Sequence, residues 1–396
     1  MSEKPKKSPA KAKADKVPKA APAKPKAKSG AKAKGAPVAV TEHAASAWGD
    51  RETEFFYDLT PDRILAAAEL TGVRCTGRMM QMNSMENRVW EVEIEVADEA
   101  ALKSRSEKSR ILKFYRPGRW SQVQIEEEHR FLLDLQEAEV PVVAPLPFAG
   151  KGRGGATGTL ASVPGAENLF FTVFPKVGGR HPDEMSEEQL VRVGRQLGRM
   201  HNVGASGPDA AAPHRLRLTP EVYGYMNLDY LLETEAIPER LEEPYVLAAE
   251  EICGRAEELF ADAALQRIHG DCHLGNLLWA DSPPHDGPFW VDFDDMVVGP
   301  PVQDIWLIVP GRDDDAVERR EHLLRGYGEM RDFDRATLRL IEPLRALRYI
   351  HFSAWIAKRW IDPAFPRRFE HFGTESYWTE QVADLREQVD LMRAAA

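Results

Sequence analysis

Asp271 and Asn276 stand five positions apart in His269-Gly270-Asp271-Cys272-His273-Leu274-Gly275-Asn276, and sixteen residues further on comes Asp292, framed by Val291 and Phe293. A D-x-x-x-x-N interval followed by an Asp in an apolar run is the layout of a phosphoryl-transfer loop and its metal-binding strand. In that layout Asp271 orients the attacking hydroxyl and accepts its proton, while Asn276 and Asp292 hold Mg2+ against the phosphates of ATP. His269 stands where the histidine of H-R-D stands. Taken singly these are ordinary turn residues. Together they imply an ATP-dependent kinase, with Asp292 expected to be buried in a strand beside a cation, since an unpaired buried carboxylate costs several kcal/mol.

Such a site needs a strand lysine for the α- and β-phosphates and a helix glutamate to hold it. Trp90, Val92, Ile94 and Val96 alternate with Glu91, Glu93 and Glu95, the period of a strand with one wet face. A second strand, Ile111-Leu112-Lys113-Phe114-Tyr115, puts Lys113 on the face of Ile111 and Tyr115. Ser121 with Gln124 forms a capping-box signature for a helix reaching about residue 138. Its stripe Ile125, Phe131, Leu132 and Leu135 contains Glu128, which is therefore preferred over Glu127 as the partner of Lys113.

The turn Gln81–Arg88 occupies the place of a glycine-rich loop without the G-x-G-x-x-G pattern. Its backbone N–H groups, with Ser84 and Asn87 as side-chain donors, are expected to meet phosphates. Phe170–Pro175 reads as a buried strand leading to a hinge, where the backbone of Lys176 and Val177 is expected to meet adenine. The glycine run from Gly150 to Gly158 lacks a GK[ST] ending and a following helix, and reads as a hairpin turn.

Beyond residue 180 the pattern becomes helical, with Ser186 and Gln189 capping the first helix and later helices around 240–264, 316–330, 335–361 and 375–393. His201 ends one apolar face and reads as a core histidine. Asp304 is expected to brace the catalytic loop. The stretch Ile341–Ile361 is rich in Arg, Trp and Tyr, the composition of a recognition surface, although most of its aromatics should be core.

The chain has 396 residues, enough for two packed lobes. It has no run of eighteen apolar residues and no apolar segment behind its N-terminal lysines, so neither a membrane span nor a signal peptide is expected. Three cysteines without CxxC spacing fit a reducing cytoplasm. Cys272 adjoins the proposed base, and its oxidation would disturb the loop unless the thiol is buried. Residues 1–40 hold twelve lysines against Glu3 and Asp15, a balance of +10; with −11 overall, the remainder carries −21. Such a tail is expected to be disordered and to make a weak, salt-sensitive polyanion contact. The acidic body argues against sequence-specific DNA reading. Nothing suggests a coiled coil, and a monomer is expected.

The chain resembles the bacterial stress response kinase A family, within the aminoglycoside-phosphotransferase-like kinases. The resemblance is carried by Asn83-Ser84…Glu86-Asn87-Arg88-Val89, Lys113-Phe114-Tyr115-Arg116-Pro117 and Val173-Phe174-Pro175…Gly178-Gly179-Arg180. It continues through His269–Asn276, Gly299-Pro300…Gln303-Asp304-Ile305-Trp306, Ile341–Ala346 and Trp360–Pro366, over about residues 55–380. It implies an α+β, bilobal protein-kinase-like fold: a disordered basic tail (1–45), a small antiparallel-sheet N-lobe (46–175), and a larger helical C-lobe (176–396) carrying the catalytic loop and substrate-binding helices. It also implies ATP and Mg2+, transfer to Ser/Thr of proteins, and a cytoplasmic role in stress survival. By position, Asp271 becomes the proton acceptor, Asn276 and Asp292 the metal ligands, and Ser84 a nucleotide contact. The rival reading is an O-phosphotransferase for a small alcohol such as an aminoglycoside, choline or homoserine, whose cationic members would suit a −21 body. The phosphoryl-transfer residues are common to both.

Overall fold

The structure is a computed structural model that describes residues 56, 58–148, 158–280 and 287–394. The lysine-rich tail and residues 150–157 of the glycine run lie outside the described residues.

A short helix, α1 (Pro61–Glu69), opens with proline in its first turn and the Thr60 hydroxyl accepting from the Arg63 N–H. A five-stranded antiparallel sheet follows: β1 (Cys75–Gln81), β2 (Arg88–Ile94), β3 (Ser109–Phe114), β4 (Ala161–Val163) and β5 (Ala166–Pro175), in the order β1-β2-β3-β5-β4. Alternation decides its two faces. Leu112 and Phe114 of β3 pack with Val92, Phe171, Val173 and the α1 residues Ile64, Ala67 and Ala68. Ile111 and Lys113 face the opposite way, into a cleft.

Helix α2 (Gln122–Glu137) lies between β3 and β4 in the chain; the Ser121 N–H donates to the Gln124 side chain at its start, at 2.8 Å. The larger part is helical: α3 (Glu187–Gly204), α4 (Met226–Glu233), α5 (Glu239–Phe260), α6 (Val302–Ile308), α7 (Asp314–Gly328), α8 (Ile341–Ala357), α9 (Ala364–Arg368) and α10 (Glu375–Ala394). Two small antiparallel pairs sit between α5 and α6, namely β6 (Gln266–Ile268) with β9 (Val297–Gly299), and β7 (Leu277–Ala280) with β8 (Gly287–Trp290). Residues 335–340, expected to belong to one long helix, form a separate 3-10 stretch before α8.

Leu344, Leu347, Ile350 and Ala354 of α8 are buried in one core with Ala249 and Ile252 of α5 and Trp378, Leu385 and Val389 of α10. A different stripe, Arg348, Phe352 and Trp355, continues to Arg359 just beyond the helix end, at spacings of four, three and four residues. Among the described residues no helix is long and apolar enough to cross a membrane.

Candidate active site

The loop His269–Asn276, expected to be the catalytic loop, leaves β6 and enters β7, and its shape is fixed from behind. The carboxylate of Asp304, fully buried at the start of α6, accepts from the backbone N–H groups of His269 and Gly270, both at 2.9 Å. His201 holds the same carboxylate through Nε2 at 3.0 Å while its Nδ1 meets the Tyr327 hydroxyl at 3.0 Å, so it is a satisfied core histidine. Gln303 donates to the Gly270 carbonyl at 2.9 Å. Gly270 has φ +84°, and a Cβ there would fall 2.3 Å from the Asp295 carbonyl oxygen, so both conformation and space require glycine. His269 Nε2–H donates to the Val291 carbonyl at 3.0 Å and ties the loop to the segment bearing Asp292.

Asp271 is held on both carboxylate oxygens. Arg348 of α8 donates to Oδ1 at 2.8 Å; Oδ2 faces Asn276 Nδ2 at 3.4 Å and His273 Nε2 at 3.3 Å. Burial alone would raise its pKa, but the Arg348 guanidinium and the two histidines hold it well below the usual carboxylate range. The His273 imidazole is pushed up in turn by its bond to Asp271. Asn276 also donates to the Asp271 carbonyl at 2.9 Å, which spends its amide N–H groups on the loop and leaves its oxygen for the cleft.

Asp292 differs from the expectation of a buried strand residue. The strand β8 stops at Trp290, and Asp292 adopts a left-handed conformation (φ 59°, ψ 65°) that Asp tolerates better than most residues. That twist turns Phe293 into the core, at 1% exposure, and leaves the Asp292 carboxylate 57% exposed at the cleft. The buried acid of this segment is Asp294, two residues on. Its carboxylate lies 2.9 Å from Lys113 Nζ and is also bonded by Arg119. Burial would raise its pKa, yet Arg119 and Lys113 drive it down. Asp295, the other partner of Arg119, is pushed up by burial and by the neighbouring acids.

Lys113 contacts Glu128 at 3.6 Å and Asp292 at 3.2 Å in addition to Asp294. The three carboxylates keep its ammonium charged against the cost of burial, with a pKa well above the ordinary lysine value. Glu128 is fully buried, neither of its oxygens accepts a hydrogen bond, and burial pushes its pKa up. Glu127, the less favoured candidate, is also buried but meets the His214 N–H at 3.2 Å, away from Lys113.

Lys113, Glu128, Asp292, Asp294 and Asp295 line a cleft of about 640 Å³ that also takes in Ser84, Asn87, Lys176, Val177, Asn276 and Trp355, while Asp271 lies outside this lining and reaches it through Asn276. Ser84 is half-buried in the β1–β2 turn. Asn87 is 4% exposed, and its Oδ1 accepts from the Arg116 N–H at 3.0 Å, which shapes the turn from within and leaves its Nδ2 as the donor expected of it. Lys176 follows β5, its ammonium 2.6 Å from Glu91, leaving its backbone and that of Val177 at the end of the cleft.

Sequence reading passed over an arginine network under the β1–β2 turn. Glu86 accepts from Arg359 Nε at 2.6 Å and from Trp355 Nε1 at 2.8 Å, and Arg116 Nε lies 2.9 Å from its other oxygen. Arg116 continues to Asp362 at 2.9 Å. Arg119, 3.8 Å away, together with Arg359 and Arg116 holds Glu86 down at about 2 against a burial cost that acts in the opposite direction. The enrichment of Arg and Trp in residues 341–361 was the available signal for Arg348, Trp355 and Arg359. Arg119 and Glu86 had none.

Among the described residues no cluster of three His, Cys, Asp or Glu side chains could hold a metal ion. The oxygens of Asn276 and Asp292 are two donors, a number that suits Mg2+, which takes few protein ligands and completes its shell with phosphate and water.

The description "phosphotransferase enzyme family" matches residues 84–341. The chain is 37% identical to stress response kinase A of Escherichia coli over 342 residues, which is 85% of this chain and 95% of that protein. It is 36% identical to the serine/threonine protein kinase RdoA of Salmonella typhimurium over 341 residues, 85% and 94% of the two chains. In fold it is similar to an amicoumacin kinase bound to AMP-PNP and Ca2+ (TM-score 0.60, 20% identity, 83% of this chain and 92% of the other). A spectinomycin phosphotransferase with ADP gives a TM-score of 0.56 at 13% identity, over 83% and 98% of the chains.

Proposed function

We propose, for a chain that belongs to the phosphotransferase enzyme family and within it to the stress response kinase A proteins, transfer of the γ-phosphate of ATP to serine and threonine hydroxyls of proteins. The observation that carries this is the meeting of Lys113, Asp292 and Asn276 on one cleft, with Asp271 joined to Asn276 just behind it at 3.4 Å. Asp271 accepts the proton of the attacking hydroxyl. Lys113, steadied by Glu128 and Asp294, meets the α- and β-phosphates, and the β1–β2 turn with Ser84 covers the phosphates. Lys176 and Val177 receive adenine. Asn276 and Asp292 would hold Mg2+, which supplies charge neutralisation between phosphate groups. Residues 46–175 thus supply Lys113 and the turn over the phosphates, and residues 176–396 the adenine contact, the metal ligands, the catalytic loop and the acceptor surface.

Two considerations support a protein acceptor. Relatives named as stress response and serine/threonine protein kinases match along nearly their whole length. Carboxylates around the cleft are also already matched by arginines: Asp271 by Arg348, Asp295 by Arg119 and Glu86 by Arg359. A polycationic small alcohol finds little uncommitted negative charge there, despite the acidic body. We infer a role in a stress response from its relatives' names, and propose a cytoplasmic monomer.

The test is γ-phosphate transfer from ATP-Mg to dephosphorylated casein, to the protein itself, and to a panel of aminoglycosides, choline and homoserine. Asp271→Asn is the control. Protein labelling that Asp271→Asn reduces by about 10²–10⁴-fold, the range for loss of a positioned base, is the expected result. Turnover confined to a small alcohol assigns the chain to the metabolite or antibiotic phosphotransferases instead.

A further inference from the structure

Arg348 reaches Asp271 from α8, a helix outside the catalytic loop, and its bond to Oδ1 at 2.8 Å is its one hydrogen bond or ion pair among the described residues. The other partners of the carboxylate are anchored twice. Asn276 Nδ2 also holds the Asp271 carbonyl at 2.9 Å, and His273 Nδ1 accepts from the Gly275 N–H at 3.0 Å. An acceptor hydroxyl therefore gains Asp271 most easily at Oδ1, by displacing the one donor that has no second tether. The Arg348 side chain is 41% exposed and has room to move.

We propose that Arg348 is a further catalytic residue: it occupies the acceptor's place on Asp271 in the resting site, and on acceptor binding its guanidinium turns to the phosphoryl group in transfer. The geometry makes the second contact short-range. In the transfer step the acceptor oxygen forms a bond to the γ-phosphorus and its proton passes to Asp271 Oδ1. The bond from phosphorus to the bridging oxygen breaks, with its electron pair leaving on ADP. The phosphorus must then lie within bonding reach of an oxygen that has taken the position of Arg348 Nη2. The displaced guanidinium is left beside equatorial phosphoryl oxygens that carry the charge, and its planar fork matches that group. The position of α8 is independently fixed at its far end, where Trp355 and Arg359 grip Glu86. Arg348 therefore swings from a helix anchored at Trp355, seven residues or about 10 Å further along at 1.5 Å rise per residue.

This inference rests on the reading of Asp271 as the base, and the experiment separates the two. Full-length wild type, Arg348→Ala and Arg348→Lys are compared for calorimetric binding of AMP-PNP–Mg and of ADP–Mg with aluminium fluoride, a mimic of the transferring phosphoryl group. Hydrolysis of ATP-Mg, in which water takes the acceptor's place, is measured in parallel. In Arg348→Ala the AMP-PNP affinity should stay within about twofold while the aluminium fluoride complex weakens by tenfold or more, as expected for a contact made only in the transition state. Its kcat should fall by about 10²–10³-fold with KM for ATP unchanged, the loss typical of one removed donor. Lysine should restore part of this, and added guanidinium salt should restore part of the alanine variant's rate. Equal weakening of both complexes, an unchanged kcat, or a loss that guanidinium does not relieve overturns the proposal. Full turnover in Asp271→Asn removes the base reading alone, because the affinity split in Arg348→Ala is read without catalysis.

Discussion

The ammonium of Lys113 is paired with Asp294 at 2.9 Å, closer than its 3.6 Å contact with the helix residue Glu128. Asp294 also holds Arg119, so two buried cations depend on one carboxylate that is 4% exposed. Asp294→Asn is expected to destabilise the fold by about 3–5 kcal/mol, the cost of breaking a buried pair from one side. Glu128→Gln removes a carboxyl that accepts no hydrogen bond and is already inclined to hold a proton; its cost should stay near 1 kcal/mol. Urea unfolding of both variants checks the order, and an equal loss contradicts it.

Glu86 carries a pH prediction. Its folded pKa is depressed to about 2 from 4.5, because Arg119, Arg359 and Arg116 outweigh the effect of burial. A depressed carboxylate adds stability that is complete above the unfolded pKa and fades as pH falls through the folded one. Between about pH 4.5 and 2 the wild type should thus lose about 3 kcal/mol through this group, at 1.36 kcal/mol per pKa unit. Glu86→Gln should be less stable at neutral pH and should show a shallower decline across that window. Denaturant midpoints measured at several pH values settle the sign.

The catalytic loop should fail at its supports as well as at its chemistry. Asp304→Ala leaves the His269 and Gly270 N–H groups and His201 without their buried acceptor, at about 1–3 kcal/mol for each orphaned group. Gly270→Ala must move the Asp295 backbone. Both variants should lose more turnover than nucleotide affinity, since Lys113 and the β1–β2 turn are untouched; AMP-PNP binding beside kcat measures the split.

Cys272 should be inert. The thiol is fully buried, and burial first, with Asp304 and Asp271 after it, pushes its pKa well above the ordinary value, so little thiolate forms. Cys272→Ser is expected to keep wild-type activity and wild-type sensitivity to peroxide. A variant that resists peroxide would instead make the thiol a sensor.

Residues 1–40 should act by charge alone. Full-length protein is expected to bind duplex DNA at low salt and to lose it steeply as salt rises, with counterions reclaiming the phosphates. A chain lacking those residues should show neither effect; equal binding by both removes the polyanion contact.

Much of the site could be read because its parts are local. The D-x-x-x-x-N interval fixes Asp271 and Asn276 on one loop, and helix periodicity selects Glu128 over Glu127 because only one of them shares a face with Ile125 and Leu132. What escaped depends on contacts between distant segments. Glu86 and Arg359 are 273 positions apart, and neither carries a local mark of the other. Asp292 was misjudged for a different reason: apolar neighbours predict a strand, but one left-handed residue exchanges which of Asp292 and Phe293 faces inward. Backbone sign is not encoded in hydrophobic alternation, so Asp294 went unnoticed as the buried acid.

The grip of Trp355 and Arg359 on Glu86 means that the roof of the nucleotide cleft is fastened to a helix near the end of the chain as well as to its own strands. The β1–β2 turn cannot lift away from α8 unless those bonds to Glu86 break. If nucleotide leaves by way of that turn, its exchange has the character of a latch rather than a jaw.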